Sequence, residues 1–107
     1  MNESRLNKLL EFYNSEGSDS FIIFAVAKEY ENFERFDKAL EFYLELKKKD
    51  PDYIGLYYHL AKLYEELEKR ELALTTYDEG LALAKKLRDF HALSELNNAK
   101  MNYEMES

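Results

Sequence analysis

Phe24, Lys28 and Glu31 are spaced i, i+4, i+7, so a helix places a ring, an ammonium and a carboxylate on one face. Tyr58, Lys62 and Glu65 repeat that face 34 residues later, and Phe21 and His59 flank the two copies. The chemistry on offer is recognition: two rings to hold an apolar anchor and two lysines to pair with an acidic group. The same residues also suit packing, with Phe24 resting on Tyr58 between neighbouring helices while lysine and glutamate face water. Both readings can hold at once, because a packed aromatic floor is still a surface for a ligand.

Bond-making chemistry finds little support. His59 and His91 are the only histidines, and neither has a second histidine three or four residues away. A metal would need Glu65 or Glu95 from other turns. The carboxylates sit beside lysines on helix faces, a pattern of solvated ion pairs rather than an acid–base couple. No nucleophile elbow, phosphate loop or zinc spacing occurs. No catalytic residue, metal or cofactor is expected, and the chain does not read as an enzyme.

Composition narrows the partners. A net charge of −7 opposes a nucleic-acid footprint, which needs a basic face. The one basic run, Lys47-Lys48-Lys49, falls where a helix C-terminus welcomes cations. Cysteine is absent and no run approaches the roughly 18 apolar residues of a membrane span. The N-terminus lacks the apolar core of a signal peptide. The expected address is the cytoplasm and the expected partner a protein or peptide, with no membrane role.

Three glycines and one proline in 107 residues are too few for an all-β chain, whereas Glu, Lys, Leu and Ala abound. Apolar periodicity predicts six helices, near 3–14, 20–33, 36–49, 53–67, from the Glu68-Lys69-Arg70 turn to 87, and 90–105. Gly17 suits a left-handed exit, and Ser18 or Asp19 an N-cap. Asp50-Pro51 ends the third helix, since the residue before proline avoids the helical region. Leu93, Leu96, Ala99 and Tyr103 define the inner side of the last. Short links between helices imply antiparallel neighbours.

Residues 20–53 and 54–87 align with nine identities, among them Ala27/Ala61, Tyr30/Tyr64, Ala39/Ala73 and Tyr43/Tyr77. Small residues let helices approach, and large rings fill the space between them. The first unit reads Ile23-x2-Val26-Ala27-x2-Tyr30, then Ala39-x3-Tyr43, then Pro51. The second reads Tyr57-x2-Leu60-Ala61-x2-Tyr64, then Ala73-x3-Tyr77. This 34-residue unit resembles the tetratricopeptide repeat, with alanine for its small glycine and tyrosine for its phenylalanine. Three departures stand out: Ile23 for the opening aromatic, Leu46 where a small alanine is usual, and Lys85 for the second proline.

The resemblance implies an all-α fold of antiparallel helix pairs stacked as a short right-handed α-solenoid. It implies a single repeat domain: a half-repeat helix at 1–18, repeats at 20–53 and 54–87, and a capping helix at 88–107. In that family the first helix of each unit lines the concave side. By resemblance, the groove then carries Phe21, Phe24, Lys28, Glu31, Tyr58, His59, Lys62 and Glu65. The implied function is a protein–protein interaction scaffold that binds a peptide or partner helix there. Some members grip the carboxylate end of chaperone tails, but these lysines are off that pattern and Glu66 opposes it. The alternative function is a self-associating structural module, a weak homo-oligomer. It would use the helix ends and exposed aromatics, for which Phe12, Phe33, Phe42 and Phe90 are the candidates.

Overall fold

Asp19 begins the first complete hairpin. Its carboxylate accepts the Phe21 amide proton at 2.8 Å, satisfying one of the donors that a helix start leaves bare. The computed structural model describes residues 3–16 and 19–106, so the Gly17 and Ser18 expectations lie outside the described residues. The described residues form six helices and no strand: α1 (Ser4–Glu16), α2 (Ser20–Asn32), α3 (Phe36–Lys49), α4 (Gly55–Glu66), α5 (Arg70–Leu87) and α6 (Phe90–Glu106). They group into two compact units, Met1–Tyr53 and Ile54–Ser107.

In the first unit, α2 and α3 run antiparallel. Ser20 at the start of α2 donates to Asp50 at the end of α3 (2.7 Å), and Tyr43 donates to Glu31 nearer the turn (2.7 Å). Ile23, Val26, Ala27, Ala39, Tyr43 and Leu46 are fully buried. The alanines sit where any larger side chain would hold the helices apart, and Tyr43 fills the space they leave. Helix α1 covers this pair. Leu6 is buried, Arg5 pairs with Glu29 of α2 (2.9 Å), and the Tyr13 hydroxyl donates to Glu45 of α3 (2.8 Å). Phe42 belongs to this layer. Its ring lies 5.2 Å from that of Tyr13 and stacks 5.7 Å from that of Tyr30, leaving it half-buried. Phe42 is therefore a packing ring and not the exposed anchor expected of it, because α1 and α2 supply cover that its own helix pattern cannot reveal.

In the second unit, α4 and α5 repeat the design. Leu56, Leu60, Ala61, Leu63, Ala73, Tyr77 and Ala84 are fully buried, and Tyr77 donates to Glu65. Helix α6 then runs antiparallel to α5. Lys100 meets Asp78 at 2.6 Å, and the Arg70 guanidinium lies 5.0 Å from the Tyr103 ring centre. Gly80 makes this close approach feasible. A Cβ there would sit 2.7 Å from the Tyr57 Cβ and 3.0 Å from Leu96.

One corner is used three times. Glu34, Glu68 and Arg88 adopt the left-handed conformation, with φ of 59°, 58° and 57°. After each, the next amide reaches back five residues: Arg35 to the Tyr30 carbonyl (2.8 Å), Lys69 to Tyr64 (2.9 Å) and Asp89 to Ala84 (2.9 Å). This is the Schellman closure, which satisfies carbonyls that a helix end leaves bare. Lacking a proline, α5 runs 18 residues against 14 for α3 and stops only at Arg88. Asp89 then caps α6, accepting the Ala92 amide proton at 3.0 Å.

Candidate functional site

In the first unit, Phe24 is half-buried, with its ring centre 5.3 Å from that of Tyr53 and 6.2 Å from that of Tyr43. The Lys28 ammonium lies 5.9 Å from the Phe24 ring centre, at the edge of cation–π range. Glu31, one turn on, accepts the Tyr43 hydroxyl proton. Phe21 stands clear of this packing and is 61% exposed.

The second unit carries the matching set. Lys62 lies 3.4 Å from one oxygen of Glu65, and the other oxygen accepts the Tyr77 hydroxyl proton. Tyr58 and His59 are half-buried with ring centres 5.3 Å apart, edge to face. The glutamate of each stripe thus also closes its own hairpin. Burial above all, then the bond to Glu31, holds the Tyr43 phenol far above the usual range. Burial and then Glu65 do the same for Tyr77, with smaller contributions from Tyr58 and Tyr103. Both phenols remain protonated donors across physiological pH.

Tyr58, Lys62 and Glu65 form one wall of a concavity of about 310 Å³. Helix α6 forms the other, with Glu95, Asn98, Asn102, Tyr103 and Glu106. His59 does not line it. A neighbouring hollow shares Glu65, Tyr103 and Glu106 and adds Glu68 and Arg70. The α6 wall was missed by reasoning from the repeat, because it has no counterpart 34 residues earlier in either unit. Its own spacing was the available signal: Glu95, Asn98, Asn102 and Glu106 fall three, four and four apart, on one helical face.

Among the described residues, no three His, Cys, Asp or Glu side chains converge as a metal site. Nor is any helix among them long and apolar enough to cross a membrane.

No protein-family model matches the chain, and no curated protein matches it. Solved structures do. The solution structure of a tetratricopeptide repeat domain protein from Salinibacter ruber is 39% identical, with a TM-score of 0.80. The match covers 83% of this chain and 90% of that one. A crystal structure of a tetratricopeptide repeat domain protein from the same organism matches at 39% identity and a TM-score of 0.78, covering 83% and 100% of the two chains. This chain belongs to the tetratricopeptide repeat family. A protein from Bordetella parapertussis shares the fold at 24% identity, with a TM-score of 0.86 over 99% of this chain and 91% of its own.

The repeat signature sits where the family's packing requires it. Ala27, Ala39, Ala61 and Ala73 are fully buried, as are Tyr43 and Tyr77. Leu46 is a departure in size alone. It is fully buried, whereas its counterpart Gly80 marks a contact too close for any side chain.

Proposed function

We propose that this tetratricopeptide repeat chain is a protein–protein interaction module that holds an extended or helical peptide against its recognition stripe. Each unit carries such a stripe: Phe21, Phe24, Lys28 and Glu31 in the first, and Tyr58, His59, Lys62 and Glu65 in the second. The observation that carries this reading is the concavity walled by Tyr58, Lys62 and Glu65 on one side and α6 on the other. Its rings, amides and charges are the mixed lining expected of a recognition surface.

The test is selection from a displayed peptide library on the wild-type protein, followed by binding of the enriched peptides to Tyr58→Ala and Asn102→Ala variants of unchanged helicity. At least tenfold weaker binding by either variant is expected. Enriched peptides that bind both variants at wild-type affinity would remove this surface from consideration.

Exposed apolar side chains support a second reading, self-association. Phe90 is 64% and Met105 78% exposed, and Phe90 and Leu93 help line a further hollow beside Leu81. Light scattering over a dilution series separates the two readings. A strict monomer at the highest concentration would exclude self-association.

A further inference from the structure

We infer that the concavity between α4 and α6 receives an arginine side chain of the bound partner, an inference that rests on the interaction reading above. Three features of the lining point to a guanidinium. The first is charge. Lys62 contributes one positive charge against the carboxylates of Glu65, Glu95 and Glu106, so the lining is net negative. Glu65 already serves Lys62 and Tyr77, whereas the side chains of Glu95 and Glu106 enter no hydrogen bond or ion pair among the described residues.

The second is shape and donor–acceptor pattern. At about 310 Å³ the hollow has room for one long side chain. Tyr58 and Tyr103 supply rings, and Asn98 and Asn102 supply side-chain amides, whose oxygens can accept, on the α6 wall. A planar fork of donors that also stacks on rings matches this set; an ammonium has neither the plane nor the fork.

The third is a precedent within the molecule. Arg70 lays its guanidinium 5.0 Å from the Tyr103 ring centre, in the adjoining hollow that shares Glu65 and Glu106. The Tyr103 ring thus already accommodates one guanidinium, and the concavity beside it shares that ring.

The probes are four acetylated, amidated peptides of one Gly/Ser sequence carrying Arg, Lys, Leu or Glu at the central position. Each is titrated into isotope-labelled protein and followed by amide shifts. The Arg peptide is expected to shift Tyr58, Asn98 and Asn102 and to bind at least fivefold more tightly than the Lys peptide. Glu95→Gln combined with Glu106→Gln should weaken it at least fivefold, and Tyr58→Ala should weaken the Arg peptide more than the Lys peptide. These carboxylates are exposed, so the double variant is expected to keep its fold, which circular dichroism checks. If the Leu or Glu peptide binds this surface as well as the Arg peptide, the guanidinium inference falls and the interaction reading stands. The same holds if the double variant leaves the Arg peptide unaffected. If no peptide shifts these amides, the inference falls, and the library selection decides the interaction reading separately.

Discussion

The Tyr43–Glu31 and Tyr77–Glu65 bonds each join a buried phenol to a carboxylate of the preceding helix. A hydrogen bond to a charged group contributes about 1.5–3 kcal/mol. Tyr43→Phe keeps the buried ring and loses that bond, so a loss of about 1–2 kcal/mol in urea unfolding is expected. A cost below the scatter of the fit would show that the bond only decorates the hairpin. The pH dependence follows from the raised pKa of both phenols. A phenol titrates near 10 in the unfolded chain and higher in the folded one, so its contribution is complete below about pH 10 and declines as pH rises beyond it. The Tyr43→Phe/Tyr77→Phe protein should show a shallower loss of stability on the alkaline limb than the wild type. A second residue-scale prediction concerns Glu34 and Glu68, both held left-handed. Since a side chain with a Cβ loses about 1–2 kcal/mol in that region, Glu68→Gly should raise stability by about 1 kcal/mol in the same assay. Destabilisation would mean that the glutamate side chain contributes more than its backbone strain removes.

At the scale of elements, helix existence and ends were largely legible. Asp50-Pro51 stops α3, and the missing proline lets α5 run on to Leu87 as its periodicity suggested. What the periodicity could not show is which element covers another. Phe42 looks outward from α3 considered alone and is covered only because α1 and Tyr30 lie over it. Glu31 and Glu65 likewise read as surface charges at i+7 from a ring, yet each answers a tyrosine twelve residues on, across a turn. The α6 wall of the concavity was hidden for the opposite reason. It follows helical periodicity but echoes neither earlier repeat. Gly80 carries the element-scale prediction. Replacing a helical glycine with alanine usually gains about 1 kcal/mol. Here the added methyl would lie 2.7 Å from the Tyr57 Cβ, an atom close to the α4 backbone that cannot swing aside. Overpacking of this kind costs about 1–3 kcal/mol, so Gly80→Ala should give a net loss of stability. A gain measured by thermal unfolding would show that α4, α5 and α6 are less tightly joined than the geometry states.

For the whole molecule, the proposed partner of this tetratricopeptide repeat chain of net charge −7 is a protein or peptide. The most direct measurement is an amide-shift map of the labelled protein with a peptide from the library selection. The largest shifts are expected on Phe24, Lys28, Tyr58, Lys62, Asn98 and Asn102. Shifts concentrated instead on outward residues of α3 and α5, such as Glu41, Leu72 and Glu79, with the stripes unmoved, would contradict the proposal.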